Sequence, residues 1–354
     1  MMVDEKRLVE TLLDLVKIDS PSGYEDNVRE YIQKRLNNLN IPSQIDKSGN
    51  LFAKVQGTNE PLVLCAHMDT VEPGRGIKPV VKDGVIRSGG TTILGADNKV
   101  AIAAILELLE MRGKSERALE IVFSVREETD GGINGFDFKK LKGKIGLIAD
   151  RASDIGSIVY TSPWINNLTI KIIGKTAHAG MPEKGINALI IAASAISKIK
   201  LGKVDKKTTA NIGLINGGSA MNSIPGEVEL IGEVRSFSKA LAEKNTRFIE
   251  KIFEDETAKM KAKIQIEKNV YCTGYVYKKT DDVIKRVVRT NSEMGVSSMF
   301  EVSFGASDAN TFIENGISMV NVGDGSRDPH TTKERVGVDN LVKLTKLFYT
   351  YVNI

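Results

Sequence analysis

The sequence predicts an α/β protein: a mostly parallel sheet covered by helices, with a second, α+β domain inserted into it. Short apolar runs alternate with stretches of helical periodicity up to Asp150, which is typical of a parallel sheet covered on both faces. A change of pattern after Pro163 begins a second set of strands and helices. The chain of 354 residues is long enough for both, because one hydrophobic core seldom serves beyond about 250–300 residues.

The pattern of apolar residues in the N-terminal part predicts two helices followed by strands. One further helix is predicted between two of these strands. Apolar residues recur at helical spacing from Leu8 and again from Val28, and residues 20–23 supply a turn. The Ala- and Leu-rich stretch 100–111 predicts the further helix. The apolar runs with strand character are 51–55, 62–66, 121–125, 144–149 and, late in the chain, 318–322.

We expect the inserted domain to cover residues 165–275, which makes residues 1–164 and 276–354 one discontinuous domain. Its length lies within the usual range for a domain. The predicted strands are 167–173, 227–236 and 264–271, and the predicted helices are 188–198 and 239–256.

Composition excludes several classes of protein. The net charge of +4 is spread out, without basic runs interleaved with aromatic residues, so we expect no nucleic acid partner. No apolar stretch reaches the roughly 20 residues that a membrane helix needs. The N-terminus runs directly into an amphipathic helix pattern instead of a signal peptide, and two cysteines give no disulfide framework. These features predict a cytoplasmic protein without a membrane partner.

The chain contains only three histidines, and each lies in a dense motif with Gly, Asp or Thr. His67 closes an apolar run, His178 lies in GKTAHAG and His330 lies in DPHTT. Imidazole is the commonest protein ligand for zinc and similar metals. This distribution predicts metal chemistry for His67 and His330, whereas His178 by itself is equally compatible with a structural role.

Acidic side chains follow the predicted strands at the same edge of the sheet. His67 and Asp69 follow the strand 62–66, Glu127 and Glu128 follow 121–125, and Asp150 follows 144–149. Sites in open α/β sheets form just beyond the carboxyl ends of the strands. Asp97 directly precedes the helix 100–111, and His330 follows the last strand. Asp150 alone is also compatible with a turn or helix cap.

Two histidines and three carboxylates are a suitable set for two divalent metals about 3.5–4 Å apart that share one carboxylate. Zinc, manganese and cobalt all accept such ligands. In the Glu127-Glu128 pair one residue is placed to ligate while the other faces the water, and Glu127 fits the general base. Asp69, two residues beyond His67, is placed to hold the other N–H of the imidazole.

Five motifs together resemble the co-catalytic zinc exopeptidases, a family that includes peptidase T, acetylornithine deacetylase and carboxypeptidase G. The likeness is greatest to the peptidase T-like branch and extends over essentially the whole chain. The motifs are HMDT at 67–70, GADNK at 95–99, REET at 126–129, GKTAHAG at 174–180 and DPHTT at 328–332.

The resemblance implies a role for each candidate residue. One metal takes His67 and Asp150, the other takes Glu128 and His330, and Asp97 bridges the two. Glu127 is then the general base, and Asp69 orients His67.

The inserted domain corresponds in the family to a lid and dimerisation domain. The resemblance implies a homodimer in which His178 reaches the partner's site and stabilises the tetrahedral oxyanion. It also implies that Asn222 and Arg235 hold the substrate.

The resulting hypothesis is a dinuclear zinc exopeptidase that hydrolyses short peptides, specifically a tripeptide aminopeptidase. It acts by metal-activated water with Glu127 as general base. The nearest alternative is an N-acyl amino acid deacylase or a carboxypeptidase on the same scaffold. An alternative of another class is a non-catalytic peptide-binding member, although binding alone would not require Glu127.

Overall fold

The computed structural model of the protein describes residues 3–112, 116–129 and 131–354. In chain order the first elements are α1 (Glu5–Lys17), α2 (Asp26–Asn38), β1 (Ser43–Ile45), β2 (Leu51–Val55), β3 (Thr58–His67), β4 (Pro79–Lys82), β5 (Val85–Ser88), α3 (Ala96–Met111), β6 (Arg117–Ser124), β7 (Ile145–Ala149) and β8 (Ser157–Ser162). The next are β9 (Trp164–Ile173), α4 (Ala188–Ile196), β10 (Gly202–Lys203), β11 (Thr208–Gly217), β12 (Glu227–Ser236), α5 (Lys239–Lys259), β13 (Lys263–Cys272) and β14 (Tyr275–Val276). The last are α6 (Asp282–Glu293), β15 (Met299–Val302), α7 (Asp308–Glu314), β16 (Ser318–Val322), β17 (Ser326–Arg327), β18 (Arg335–Gly337) and α8 (Val338–Asn353).

The described residues form two compact units. The first comprises the described part of Met1–Tyr160, with Tyr277–Val302 and Ser307–Ile354, and the second comprises Thr161–Val276 with Ser303–Ala306. Our domain boundaries, at 164/165 and 275/276, stay a prediction.

The main sheet of the first unit has parallel strands at its centre. Its order within this unit is β1-β2-β6-β3-β7-β16-β8, with β15 paired to β8. The pairs β6–β3, β3–β7 and β7–β16 are parallel, and the outer pairs are antiparallel. The α/β class predicted from the sequence is therefore confirmed, with the parallel pairing confined to the centre.

The central strands bury both faces, as their uninterrupted apolar runs predict. Along β3, Leu64 and Ala66 pack into a cluster with α1, α3 and α8, whereas Val63 and Cys65 pack on the other face against α7. This alternation follows from the two-residue period of a strand. Helix α3 is buried over nearly its whole length, because it is apolar on all sides.

The register of the parallel strands brings their carboxyl ends to one edge. His67 at the end of β3 pairs with Ser124 at the end of β6, and Val322 at the end of β16 pairs with Ala149 at the end of β7. The residues that follow these strands therefore start from the same edge of the sheet.

The second unit is a sheet of order β10-β11-β12-β9-β13 with α4 and α5 packed on it. Its helices and strands begin or end within a few residues of the predicted ones, but the sequence did not predict β11. A small sheet of the first unit, β17-β18-β5-β4, was also not predicted. None of the helices among the described residues is both long and apolar enough to cross a membrane.

Candidate metal centre

His67 ends strand β3 with its imidazole buried between two sets of acidic groups. Its Nδ1 lies 3.0 Å from the carbonyl oxygen of Asp69 and 3.3 Å from Oδ1 of the same residue. Its Nε2 lies 3.2 Å from Oδ1 of Asp97 and 3.5 Å from Oδ1 of Asp150. Asp69 thus holds one ring nitrogen, and the other faces two carboxylates.

Asp97 places its carboxylate between the two imidazoles. Oδ1 faces His67, and Oδ2 lies 3.5 Å from Nε2 of His330. The backbone around Asp97 departs from helical geometry at the start of α3, and the preceding Gly95 has a left-handed φ of 70°. The same Nε2 of His330 also lies 2.8 Å from Oε1 of Glu128. One carboxylate therefore joins a group around His67 to a group around His330.

Asp150 follows β7 and is held by two asparagines. Its N–H donates to Oδ1 of Asn321 at 3.0 Å, and Nδ2 of Asn321 donates back to its carbonyl oxygen at 3.0 Å. Nδ2 of Asn98 lies 3.3 Å from Oδ1 of Asp150. Asn321 belongs to β16. The parallel pairing of β7 with β16 therefore fixes the position of the Asp150 backbone.

Asp69 also holds the backbone that carries the two glutamates after β6. Its Oδ1 accepts from the N–H of Glu127 at 3.0 Å, and its Oδ2 accepts from the N–H of Glu128 at 3.1 Å. The hydroxyl of Ser22 donates to the same Oδ2 at 2.6 Å. Asp69 is completely buried. A single carboxylate therefore orients His67 and the segment of Glu127 and Glu128 together.

Burial and neighbouring charges shift the pKa values of the ionisable groups in the site. Burial raises the pKa of Asp150 to about 7, and burial followed by the charge of Asp150 raises the pKa of Glu127 well above its usual value. Hydrogen bonds with Asp97 and Glu128 raise the pKa of His330 to about 10. Burial also acts against the charge of Asp97, but hydrogen bonds with His330 and His67 lower the pKa of this carboxyl overall.

The residues present fit divalent metals. Two sets of three residues, His67, Asp97 and Glu128, and His67, Glu127 and Asp150, can each bring ligand atoms within 4.8 Å of one another. Among the described residues, the carboxylates of Asp97, Asp150 and Glu128 pair with the imidazoles of His67 and His330. Buried carboxylates need such compensation, and imidazole with carboxylate suits zinc, manganese and cobalt.

The three remaining candidates lie in the second unit. His178 is exposed, and its Nδ1 accepts from the N–H of Gly180 at 3.0 Å. Asn222 is exposed, and its backbone carbonyl oxygen accepts a hydrogen bond from the N–H of Ala179 at 2.9 Å. Arg235 donates to both oxygens of Glu233, at 2.6 and 2.8 Å. The Nε–Nη2 edge of Arg235, which could bind a substrate carboxylate in bidentate fashion, is therefore engaged by Glu233 in this structure.

Sequence reasoning missed Glu334. It lies in the loop that follows His330, is 1% exposed, and accepts hydrogen bonds from the backbone at the start of α3. Between Lys333 and Arg335 it has the sequence context of a solvated surface residue. No periodicity in the sequence marks it as buried.

Comparisons with known proteins identify the family of this chain. The family model of the M20 peptidase dimerisation domain matches residues 165–261. The protein YqjE of Bacillus subtilis strain 168 is 35% identical over 361 residues, covering 98% of this chain and 97% of the relative. The solved aminopeptidase PepT of Bacillus cereus has 33% identity and a TM-score of 0.92, and a solved tripeptidase of Staphylococcus aureus has 34% and 0.94. Each structure comparison covers 100% of this chain and 99% of the other.

The fold and the His/carboxylate cluster define a metal-dependent hydrolase. The chain belongs to the M20 family of peptidases, in its peptidase T-like branch. The family resemblance inferred from the motifs is confirmed, as is the prediction of a metal-dependent peptide hydrolase.

Proposed function

We propose that the protein is a dinuclear zinc aminopeptidase that removes the first residue of short peptides, with tripeptides as its main substrates. The observation that carries the proposal is the Asp97 carboxylate, which offers one oxygen to the His67 group and the other to the His330 group. The substrate class is supported by the names of the two solved relatives, an aminopeptidase and a tripeptidase.

His67 and Asp150 would hold one metal, His330 and Glu128 the other, and Asp97 would be shared. Zinc is our proposal, with manganese or cobalt compatible with the same ligands. Metals held by these residues would polarise the scissile carbonyl and would lower the pKa of water.

Glu127 takes the proton of the attacking water and passes it to the nitrogen of the leaving amine. A general base must lie within reach of the proton that it takes, and a carboxylate oxygen of Glu127 lies within 4.8 Å of ligand atoms of His67 and Asp150. Asp69 supports this role indirectly, because it fixes the backbone N–H of Glu127 and the ring of His67.

His178 would donate a hydrogen bond to the oxyanion, and Asn222 and Arg235 would hold the substrate. Support for these roles comes from the likeness of GKTAHAG to the family motif and from the exposure of His178 and Asn222. For Arg235 to bind a substrate carboxylate, its contact with Glu233 would have to be exchanged.

We also propose a cytoplasmic homodimer that associates through the second unit. The match of 165–261 to a dimerisation domain supports it. So do exposed apolar side chains on this unit: Leu189 and Ile190 on α4 are 45% and 59% exposed, and Leu214 and Ile215 on β11 are 57% and 49% exposed. Neighbouring exposed apolar side chains favour a protein interface.

The function is tested by mass-spectrometric analysis of products from matched di-, tri- and tetrapeptides with free or acetylated N-termini. With zinc or manganese bound, we expect release of the first residue from free-amine tripeptides, and the Glu127→Gln variant serves as the inactive control. Cleavage confined to acetylated compounds would instead make the protein a deacylase, and release of the last residue would make it a carboxypeptidase. Absence of any cleavage with both metals bound would support the peptide-binding alternative.

Replacing His178 by alanine is expected to lower kcat by about 10²–10³-fold, the usual cost of losing one oxyanion donor, without loss of metal. If His178 acts on the partner's site, mixing His178→Ala chains with Glu127→Gln chains should restore activity. Each mixed dimer then contains one site with both residues intact, so random exchange restores about a quarter of wild-type activity. A normal rate for His178→Ala alone would show that this histidine is structural.

A further inference from the structure

Glu334 is a buried carboxylate that the proposed reaction does not use directly. Its Oε2 accepts hydrogen bonds from the N–H groups of Leu94 and Gly95, at 2.8 and 2.7 Å. Its Oε1 accepts from the N–H of Asp97 at 3.0 Å. Three short hydrogen bonds to one buried carboxylate define the position of the 94–97 segment relative to the loop after His330.

The start of α3 needs an acceptor from elsewhere in the chain. The first N–H groups of a helix have no partner within the helix, and a side chain at the N-cap usually supplies one. Here the N-cap is Gly95, which has no side chain, and the backbone of Asp97 and Asn98 is not helical. Glu334, more than two hundred residues later, supplies the missing acceptor.

Glu334 also lies in the loop that carries His330. Its N–H donates to the carbonyl oxygen of Thr331 at 3.1 Å, in the turn directly after His330. The same turn therefore presents His330 and anchors the backbone of Asp97. A shift of Glu334 would change both distances that the Asp97 carboxylate makes to the imidazoles.

We propose that Glu334 is a positioning residue that fixes the backbone of Asp97 so that its carboxylate can be shared by two metals. This inference rests on the proposed two-metal function. Metal–ligand distances tolerate only about 0.2 Å, so a small displacement of the Asp97 backbone weakens both metal positions at once. Residues that orient metal ligands typically contribute 10–100-fold to metal affinity.

The hydrogen bonds explain why a carboxylate is required at this position. Both oxygens of Glu334 accept from N–H groups, and a glutamine can accept at only one of them. In Glu334→Gln the amide NH₂ must therefore face at least one backbone N–H, and the 94–97 segment has to move. Glu334→Asp keeps both acceptors but shortens the side chain.

Glu120 provides a matched control. It is 3% exposed, and its Oε2 accepts from the N–H groups of Lys142 and Gly143 at 2.8 and 2.9 Å. Glu120→Gln thus removes the charge of a buried carboxylate that binds backbone N–H groups, although its amide oxygen can still accept from both of them. The loop that it holds carries no candidate ligand.

The test is the affinity of the folded apoprotein for Zn²⁺, measured by competition with a chromophoric chelator, alongside the Tm of the apoprotein. We expect Glu334→Gln to bind both ions about 10–100-fold more weakly, Glu334→Asp to fall between it and wild type, and Glu120→Gln to bind like wild type even where its Tm drops. If Glu334→Gln does not fold, Glu334→Asp decides alone. Wild-type affinity in the foldable Glu334 variants would overturn the inference and leave the proposed function intact. Failure of the wild-type protein to bind two ions would instead refute the proposed function itself.

Discussion

Replacing Glu127 by glutamine is expected to lower kcat on a tripeptide by about 10²–10⁴-fold, the usual contribution of a general acid–base group. Metal content should stay near two ions per chain, because Glu127 moves protons in our proposal and does not ligate. The backbone hydrogen bond from Glu127 to Asp69 is unaffected by the change, so the segment should keep its position. The measurements are kcat and metal content of the same preparation.

Glu128→Gln is the matched control, because the neighbouring N–H is held by the same Asp69 carboxylate. We expect this variant to lose metal first and activity as a consequence, and added metal should restore part of its rate. The comparison matters because the geometry allows Glu127 as well as Glu128 within ligand distance of His67. Loss of metal in Glu127→Gln would mean that Glu127 is the ligand and Glu128 the general base. Unchanged turnover in Glu127→Gln would refute the mechanism.

The rule that sites form at the carboxyl ends of parallel strands selected three of the five candidate ligands, and their binding of metal stays a prediction. His67, Glu128 and Asp150 each follow a central strand, and the observed register aligns those strand ends. Local sequence sufficed because the apolar runs that mark the strands also mark where the strands stop. The structure brings these side chains near one another, whereas their role as ligands stays a prediction.

The parts that sequence reasoning missed depend on contacts between distant segments. Glu334 is buried only because its loop meets the start of α3, and its neighbours Lys333 and Arg335 are both exposed. Strand β11 was missed because much of it is exposed and lacks the continuous apolar run of a central strand. Likewise, Asp69 was expected to orient His67, but its bonds to the backbone of Glu127 and Glu128 become visible only in the folded chain.

Replacing Asp97 by asparagine should have the largest effect on metal binding, because it is the only candidate ligand proposed to serve both ions. The neutral amide keeps the shape but offers one oxygen in place of two and removes the negative charge between His67 and His330. We expect fewer than two ions per chain and no measurable turnover. Asp4→Asn is the control: Asp4 caps α1 by accepting from Arg7 at 3.0 Å, and asparagine caps a helix equally well.

Thermal unfolding distinguishes a loss of metal binding in Asp97→Asn from a general loss of structure. Metal that binds only the folded state stabilises it by about 2.7 kcal/mol at a free concentration of about 100 Kd, so the Tm of wild type and of Asp4→Asn should rise when Zn²⁺ is added to the apoprotein. The Tm of Asp97→Asn should rise clearly less than that of wild type, although its apoprotein unfolds cooperatively. A full Zn²⁺-induced rise in the variant would mean that the two metal positions do not share Asp97, and each histidine group would then have to hold its ion without a common carboxylate.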